Sequence, residues 1–214
     1  EWDLGHLFYE LIASRPEERV ISYAESHDQA LVGDKTIMFR LADKAMYWHM
    51  EASNQNLEIV RAMSLHKMIR LLTASTHGGG YLTFMGNEFG HPEWIDFPRE
   101  GNDWSYQHAR RRWDLADDGL LKYQYLQAFD EAMIGVVAKL AGDFHYITIK
   151  QDDGVVSFVR DDYLFIFNFS PTESYTDYPI PTFNGTYILA LNSDDTVFDG
   201  QGLVDANAEY VAKK

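Results

Sequence analysis

The sequence predicts an α/β part followed by an all-β part. In residues 1–142, short apolar runs alternate with long segments in which apolar side chains recur at helical spacing. Beyond Gly142, short strands separated by turn-forming residues dominate. The two segments that follow the apolar strands of the first part are long, whereas the connections that enter these strands are short. We therefore expect a mixed α/β domain over residues 1–142 and an all-β domain over residues 143–214.

The elements of the first part are predicted to form a strand–helix–strand unit with a helix on either side. Residues 20–24 are a nearly unbroken apolar run, of the kind that a parallel sheet buries on both faces. Residues 56–76 have helical spacing, and three glycines at 78–80 connect this helix to a second apolar strand at 81–85. A phosphate-binding loop follows a strand and precedes a helix, whereas these glycines follow a helix and precede a strand. They are therefore interpreted as a connector. Residues 4–13 and 120–140 are predicted to be the flanking helices.

The last third is predicted to be a small antiparallel β-sandwich. Residues 145–150, 155–160, 163–169 and 186–191 alternate between polar and apolar side chains or are largely apolar. Turn formers such as Asp152-Asp153-Gly154 and Asn184-Gly185 separate them.

Composition restricts the possible partners of the chain. Its 214 residues include 33 Asp and Glu against 18 Lys and Arg, a formal charge of -15, which repels nucleic acid and acidic membrane surfaces. The sequence contains no apolar run of about 18 residues, the length that would suggest a membrane span. The absence of cysteine excludes disulfides and is compatible with the cytoplasm. The histidines lack a zinc-binding spacing, so we expect no metal site. We also expect no cofactor.

Both long segments of the first part begin with polar side chains. His27 and Asp28 follow the first predicted strand, and Asn87 and Glu88 follow the second. In an α/β barrel, the segments after the carboxyl ends of the strands build the active site. An isolated His-Asp pair is more often structural, but at such a rim the imidazole can donate, and the carboxylate accept, hydrogen bonds with sugar hydroxyls. The sequence therefore favours a barrel-type enzyme with an uncharged, polyhydroxylated substrate.

Three stretches of the chain resemble one enzyme family. Residues 23–36, YAESHDQALVGDKT, are similar to the seventh-strand motif of 1,4-alpha-glucan (glycogen and starch) branching enzymes, which belong to the alpha-amylase superfamily. Residues 84–94 and 96–99 resemble the eighth-strand segment of that family. Residues 165–169 and 174–178 are similar to its C-terminal β-domain. Ser26 stands where many amylases have asparagine, which favours the branching enzymes.

The resemblance implies a fold and an activity. The fold is the last two strand–helix units of a (β/α)8 TIM barrel, followed by a truncated antiparallel β-sandwich. The activity is a retaining transglycosylation that cuts an α-1,4 glucan and forms an α-1,6 branch in glycogen or starch. Asp28 matches the third catalytic carboxylate, and His27 matches a histidine that binds the same sugar.

The resemblance also implies a gap. The nucleophile and the acid/base of the family would precede Glu1, so the chain is expected to be a piece of a longer protein and to be inactive alone. A partial barrel exposes sheet edges, through which the piece is expected to self-associate.

Several interpretations stay open at the level of sequence. Glu88 could bind glucan or hold its loop through backbone amides, and Trp94 could stack on a sugar ring or pack under the loop. The cluster Arg110-Arg111-Arg112 is interpreted as a solvated helix face that pairs with nearby aspartates. The alternatives to a branching enzyme are a hydrolase or debranching enzyme of the same superfamily, and a non-catalytic glucan-binding module.

Overall fold

A computed structural model describes residues 2–15, 17–31, 35–92 and 96–213. In this part of the chain the helices are α1 (Leu4–Ile12), α2 (His27–Leu31), α3 (Ile37–Ala42), α4 (Leu57–Ser75), α5 (Asp114–Asp117) and α6 (Tyr123–Val137). The strands are β1 (Ile21–Ser22), β2 (Gly80–Tyr81), β3 (Phe144–Lys150), β4 (Val155–Arg160), β5 (Tyr163–Asn168), β6 (Gly185–Ile188) and β7 (Glu209–Ala212). Short 3-10 helices lie at Asp43–Tyr47, Asn87–Phe89, Glu100–Asn102 and Thr196–Phe198.

The predicted strand–helix–strand unit is confirmed. Strands β1 and β2 pair in parallel, with Ile21 opposite Gly80, and α4 lies between them in the chain. The helix begins where the sequence suggests, because the Asn56 side chain accepts a hydrogen bond from the Ile59 amide at 3.1 Å. Both strands are shorter than predicted.

The prediction that β1 is buried on both faces is wrong. The Ile21 side chain is 60% exposed. In the described part of the chain, β1 and β2 form a sheet of only two strands. Short apolar strands of this kind depend on neighbours for their burial.

The antiparallel strands of the last third are confirmed, and one strand was missed. Strands β3, β4 and β5 form a three-stranded antiparallel sheet in that order. Strand β6 ends at Ile188, earlier than predicted, and pairs with β7, a strand that was not predicted. The closure of these sheets into a sandwich stays a prediction.

One apolar core includes residues from both sides of position 142. Phe8 of α1, Phe129 of α6 and Phe158 of β4 belong to this core, and the ring centroids of Phe8 and Phe158 are 5.3 Å apart. All six residues of β4 are buried, because this strand is central in its sheet and contributes to the core. A second core joins Met38 of α3 to α4 and α6.

Helix α4 buries charged side chains as well as part of its apolar set. Met63 is buried, whereas Leu57, in the first turn, is exposed. The charged residues Lys67 and Arg70 are buried as well. The Arg70 guanidinium lies 2.5 Å from the Asp130 carboxylate on α6, which compensates the buried charge. Partners from distant parts of the chain therefore decide which face of α4 is buried.

Two buried lysines connect the helices to the segment around residues 193–199. The Lys67 ammonium donates to the Ser193 carbonyl oxygen at 2.7 Å and to the Phe198 carbonyl oxygen at 3.0 Å. The Lys122 ammonium, which has no exposed surface, lies 2.5 Å from the Asp199 carboxylate. These contacts supply the hydrogen bonds that a buried ammonium group needs.

Changing Asp199→Asn should lower the free energy of unfolding by about 3 kcal/mol, because the Lys122 ammonium then lies buried without its counter-charge. Urea unfolding at pH 7 measures this loss. The control Asp162→Asn removes an exposed carboxylate and should change the stability by less than about 0.5 kcal/mol. Adding Lys122→Met to Asp199→Asn should recover part of the loss. Equal stability of Asp199→Asn and the control would contradict the prediction.

Lys67 should make stability depend on pH in the alkaline range. Burial lowers the pKa of its ammonium group from 10.5 to about 8. Between these pH values the unfolded chain binds more protons than the folded one, so the free energy of unfolding should rise with pH relative to Lys67→Met. The slope of this difference should approach about 1.4 kcal/mol per pH unit.

Urea unfolding at pH 7, 8, 9 and 10 gives the slope for the unsubstituted chain and for Lys67→Met. The control Lys139→Met removes an exposed lysine and should leave the slope unchanged. A difference that stays constant or falls with pH would show that Lys67 remains charged in the folded protein over this range.

Candidate functional site

The candidate site lies where the chain leaves β1 and β2. Residues 23–26 connect β1 to α2, and His27 and Asp28 are the first two residues of that helix. The Ser26 hydroxyl fixes the start of α2: it accepts a hydrogen bond from the Asp28 amide at 3.2 Å and donates one to the Gln29 side-chain oxygen at 2.7 Å. This arrangement leaves the side chains of His27 and Asp28 on the outside.

His27 and Asp28 form an exposed pair. The His27 Nε2 and Asp28 Oδ1 atoms are 3.2 Å apart, and the two side chains are 65% and 70% exposed. The His27 ring also lies against Phe84, with the ring centroids 6.5 Å apart. A solvent molecule or a hydroxylated ligand can therefore reach both polar side chains, and Phe84 links the pair to the segment after β2.

Glu88 and Trp94 are the other two predicted site residues, and the structure describes only Glu88. The Glu88 carboxylate, half-buried, accepts a hydrogen bond from the Gly86 amide at 2.7 Å, which is the loop-holding contact that the sequence left open. Its contact with substrate stays a prediction. Trp94 lies outside the residues that the structure describes.

A buried carboxylate, Glu25, lies two residues before His27 in the chain. Its Oε2 atom accepts a hydrogen bond from the Ile37 amide, at the start of α3, at 2.5 Å, and it also accepts one from the Asn87 side chain. Burial raises the pKa of Glu25, and the positive charges of Arg111 and Arg70 oppose that rise. The role of Glu25 was not predicted. Its position directly after an apolar strand was the available signal.

Arg111 corrects the interpretation of the basic cluster. Arg112 pairs with Asp114 as expected, but Arg111 is buried and does not lie on a solvated helix face. Its Nε donates to the Met85 carbonyl oxygen at 2.7 Å, and its guanidinium lies 4.9 Å from the centre of the Phe84 ring. An arginine in a charged run looks exposed from the sequence, because its buried partners are distant in the chain.

The turn after β2 requires a glycine beside Arg111. Gly86 has φ +98°, and a Cβ atom at this position would lie 2.9 Å from the Arg111 Nε.

The buried His66 ring contacts the backbone of Asn87, the residue after Gly86. Burial, together with the charges of Arg70 and Lys67, holds the pKa of His66 well below its ordinary value, so this ring is neutral.

A cavity of about 490 Å³ lies elsewhere, lined by residues such as Trp2, Arg61 and Phe169, and its described lining does not include His27, Asp28 or Glu88. Within the described ranges, no group of three or more His, Asp or Glu side chains is placed to hold a metal ion. No helix in the same ranges is long and apolar enough to cross a membrane.

Comparison with known proteins gives relatives for nearly the whole chain. A 1,4-alpha-glucan-branching enzyme of Rhizophagus irregularis is 49% identical over 216 residues, which cover 98% of this chain and 32% of the relative. Those of Yarrowia lipolytica and Dictyostelium discoideum are both 51% identical, covering 96% and 94% of this chain and 30% of each relative. The predicted resemblance to 1,4-alpha-glucan-branching enzymes is confirmed. The chain spans about a third of the length of these curated relatives.

The all-β part has a match of its own. Residues 146–214 match the family model described as "Alpha amylase, C-terminal all-beta domain". This range contains β4–β7 and most of β3, so the antiparallel strands agree with the kind of domain that the family model describes. The resemblance to branching enzymes therefore extends to both parts of the chain.

Changing Arg111→Met should lower the free energy of unfolding by about 3 kcal/mol, because the buried Glu25 carboxylate loses a neighbouring positive charge and the Met85 carbonyl loses its donor. Urea unfolding at pH 7 measures the loss. The neighbouring Arg110→Met removes an exposed side chain and should cost less than about 0.5 kcal/mol. If both variants lose the same small amount, Arg111 has no greater structural role than a solvated arginine.

Proposed function

We propose that this chain is part of a 1,4-alpha-glucan-branching enzyme and carries the third catalytic carboxylate, Asp28. The observation that carries the proposal is an identity of 49–51% to such enzymes over 94–100% of this chain. Because the aligned region is about a third of each relative, the activity belongs to the longer protein.

His27 and Asp28 are suited to hold one sugar ring of a glucan. The imidazole can donate a hydrogen bond to one sugar hydroxyl, while the carboxylate accepts a hydrogen bond from the adjacent hydroxyl. The transition state of glycosyl transfer carries positive charge on the ring, which the negative charge of Asp28 stabilises. Their exposure and their 3.2 Å separation support this use, since both groups can reach the same ligand.

The bond-breaking groups come from elsewhere in the longer protein. In the proposed reaction, a carboxylate nucleophile attacks the anomeric carbon, and the departing glycosidic oxygen takes a proton from a carboxylic acid. The 6-hydroxyl of an acceptor glucan then attacks the same carbon and releases the nucleophile. Its proton goes to the carboxylate that was left when the carboxylic acid gave up its own. Asp28 cannot be nucleophile, proton donor and charge stabiliser together, so the chain alone should be inactive.

We also propose the architecture that goes with this function. Residues 1–142 would be the last two strand–helix units of a TIM barrel, and residues 143–214 the C-terminal β-domain. The parallel pairing of β1 and β2 and the exposure of Ile21 support this assignment, since parallel sheets occur with both faces covered by neighbouring elements, which the longer protein would supply. Substrate contacts of Glu88 and Trp94, a role in glycogen synthesis, a cytoplasmic location and self-association of the isolated chain stay predictions.

A chimaera tests the proposed function. This chain replaces the matching third of the Rhizophagus irregularis enzyme, and the α-1,6 linkages formed on amylose are measured from their anomeric proton signals. The chimaera should form branches, and Asp28→Asn should lower the rate roughly a hundredfold or more. The control Asp117→Asn, which removes an exposed carboxylate on α5, should leave the rate unchanged.

The same assay separates the alternatives. New reducing ends without α-1,6 linkages would indicate a hydrolase or debranching enzyme. Retention on amylose without any turnover would indicate a binding module. Near-normal branching by the Asp28→Asn chimaera would exclude the role proposed for Asp28.

A further inference from the structure

The Glu25 carboxylate joins three segments that are separate in the chain. It follows β1, it accepts a hydrogen bond from the Ile37 amide at the start of α3, and it accepts another from the Asn87 side chain after β2. Glu25 itself is buried and lies two residues before His27. Movement of any of these segments would therefore disturb a hydrogen bond to a buried charge, which is costly.

A second connection leads from Glu25 back to the exposed pair. Arg111, whose positive charge acts on Glu25, lies 4.9 Å from the centre of the Phe84 ring. The Phe84 ring in turn lies beside the His27 ring, with the two ring centroids 6.5 Å apart. The buried carboxylate is thus coupled to His27 along the backbone and also through Arg111 and Phe84.

We propose that Glu25 is a positioning residue that holds His27 and Asp28 in the orientation that binds substrate. Its buried oxygens fix the backbone that leads into α2, and its charge keeps Arg111 against Phe84, which supports the His27 ring. The identity of the substrate as a glucan rests on the proposed function. The coupling between Glu25 and His27 is independent of that function.

Glu25→Gln is the direct test on the 214-residue chain. Glutamine keeps an acceptor for the Ile37 amide, but its amide group faces the Asn87 donor and it has no charge to attract Arg111. Nuclear Overhauser contacts between the His27 and Phe84 rings, with the His27 ring shifts, report on the orientation. We expect the contact to be lost in Glu25→Gln, to be partly retained in Glu25→Asp, and to persist in the control Glu131→Gln, which changes an exposed residue of α6.

Phe84→Leu keeps the test decisive if Glu25→Gln does not fold. This variant leaves every buried charge in place and removes only the ring between Arg111 and His27. The His27 side-chain rotamer, read from three-bond couplings because loss of the ring current alone moves the shifts, should then change while the Ile37 amide signal stays in place. An unchanged His27 rotamer in Phe84→Leu, or an intact contact between the His27 and Phe84 rings in folded Glu25→Gln, would overturn the proposal.

Kinetics of the chimaera complete the test. Glu25→Gln should reduce kcat/KM about a hundredfold, with KM and kcat both affected, because a displaced binding group weakens positioning in the ground state and the transition state. Glu25→Asp should recover part of this loss. Full activity of Glu25→Gln would also overturn the proposal. If the unsubstituted chimaera forms no branches, the proposed function fails, and the ring contacts still decide the role of Glu25.

Discussion

The buried Glu25 carboxylate is the constraint on which the candidate site depends. Removing a carboxylate from water costs several kcal/mol unless donors and positive charge replace the lost hydration. Here the Ile37 amide, the Asn87 side chain and the Arg111 charge meet at one group, and each comes from a different segment. Movement of one of these segments alone would remove a partner from the buried carboxylate. In the proposed positioning role, these interior contacts set the orientation of His27 and Asp28.

Helix α4 extends the same dependence into the all-β part. Arg70 pairs with Asp130 on α6, while Lys67, one turn away on the helix, donates to carbonyl oxygens at 193 and 198. Arg160 of β4 donates to the Ser75 carbonyl oxygen at the end of α4, at 2.8 Å. Long cationic side chains reach backbone oxygens here, so the helices and the sheet share one polar framework as well as one apolar core.

The sequence predicted what is local and missed what needs a distant partner. The start of α4 was predictable because the Asn56 cap and the apolar spacing lie within the segment. The burial of Lys67 was not, since its acceptors are 126 and 131 residues away. Arg111 looked solvated for the same reason. The position of His27 and Asp28 after a strand was predictable from the order of apolar and polar residues, whereas the contacts of Glu25 depend on Ile37 and Asn87, which no spacing rule connects to it.

The exposure of Asp28 explains why this part of the proposed enzyme would not be sufficient. A carboxylate that is 70% exposed is surrounded by water, and water and salt screen its charge at a developing cation. Such a charge becomes effective in catalysis only when the site excludes solvent and the group is already oriented. The chain supplies the orientation through Ser26 and the buried Glu25. In the proposed enzyme, solvent would be excluded by the bound sugar and by the remaining two-thirds of the longer protein, which would also supply the nucleophile and the proton donor.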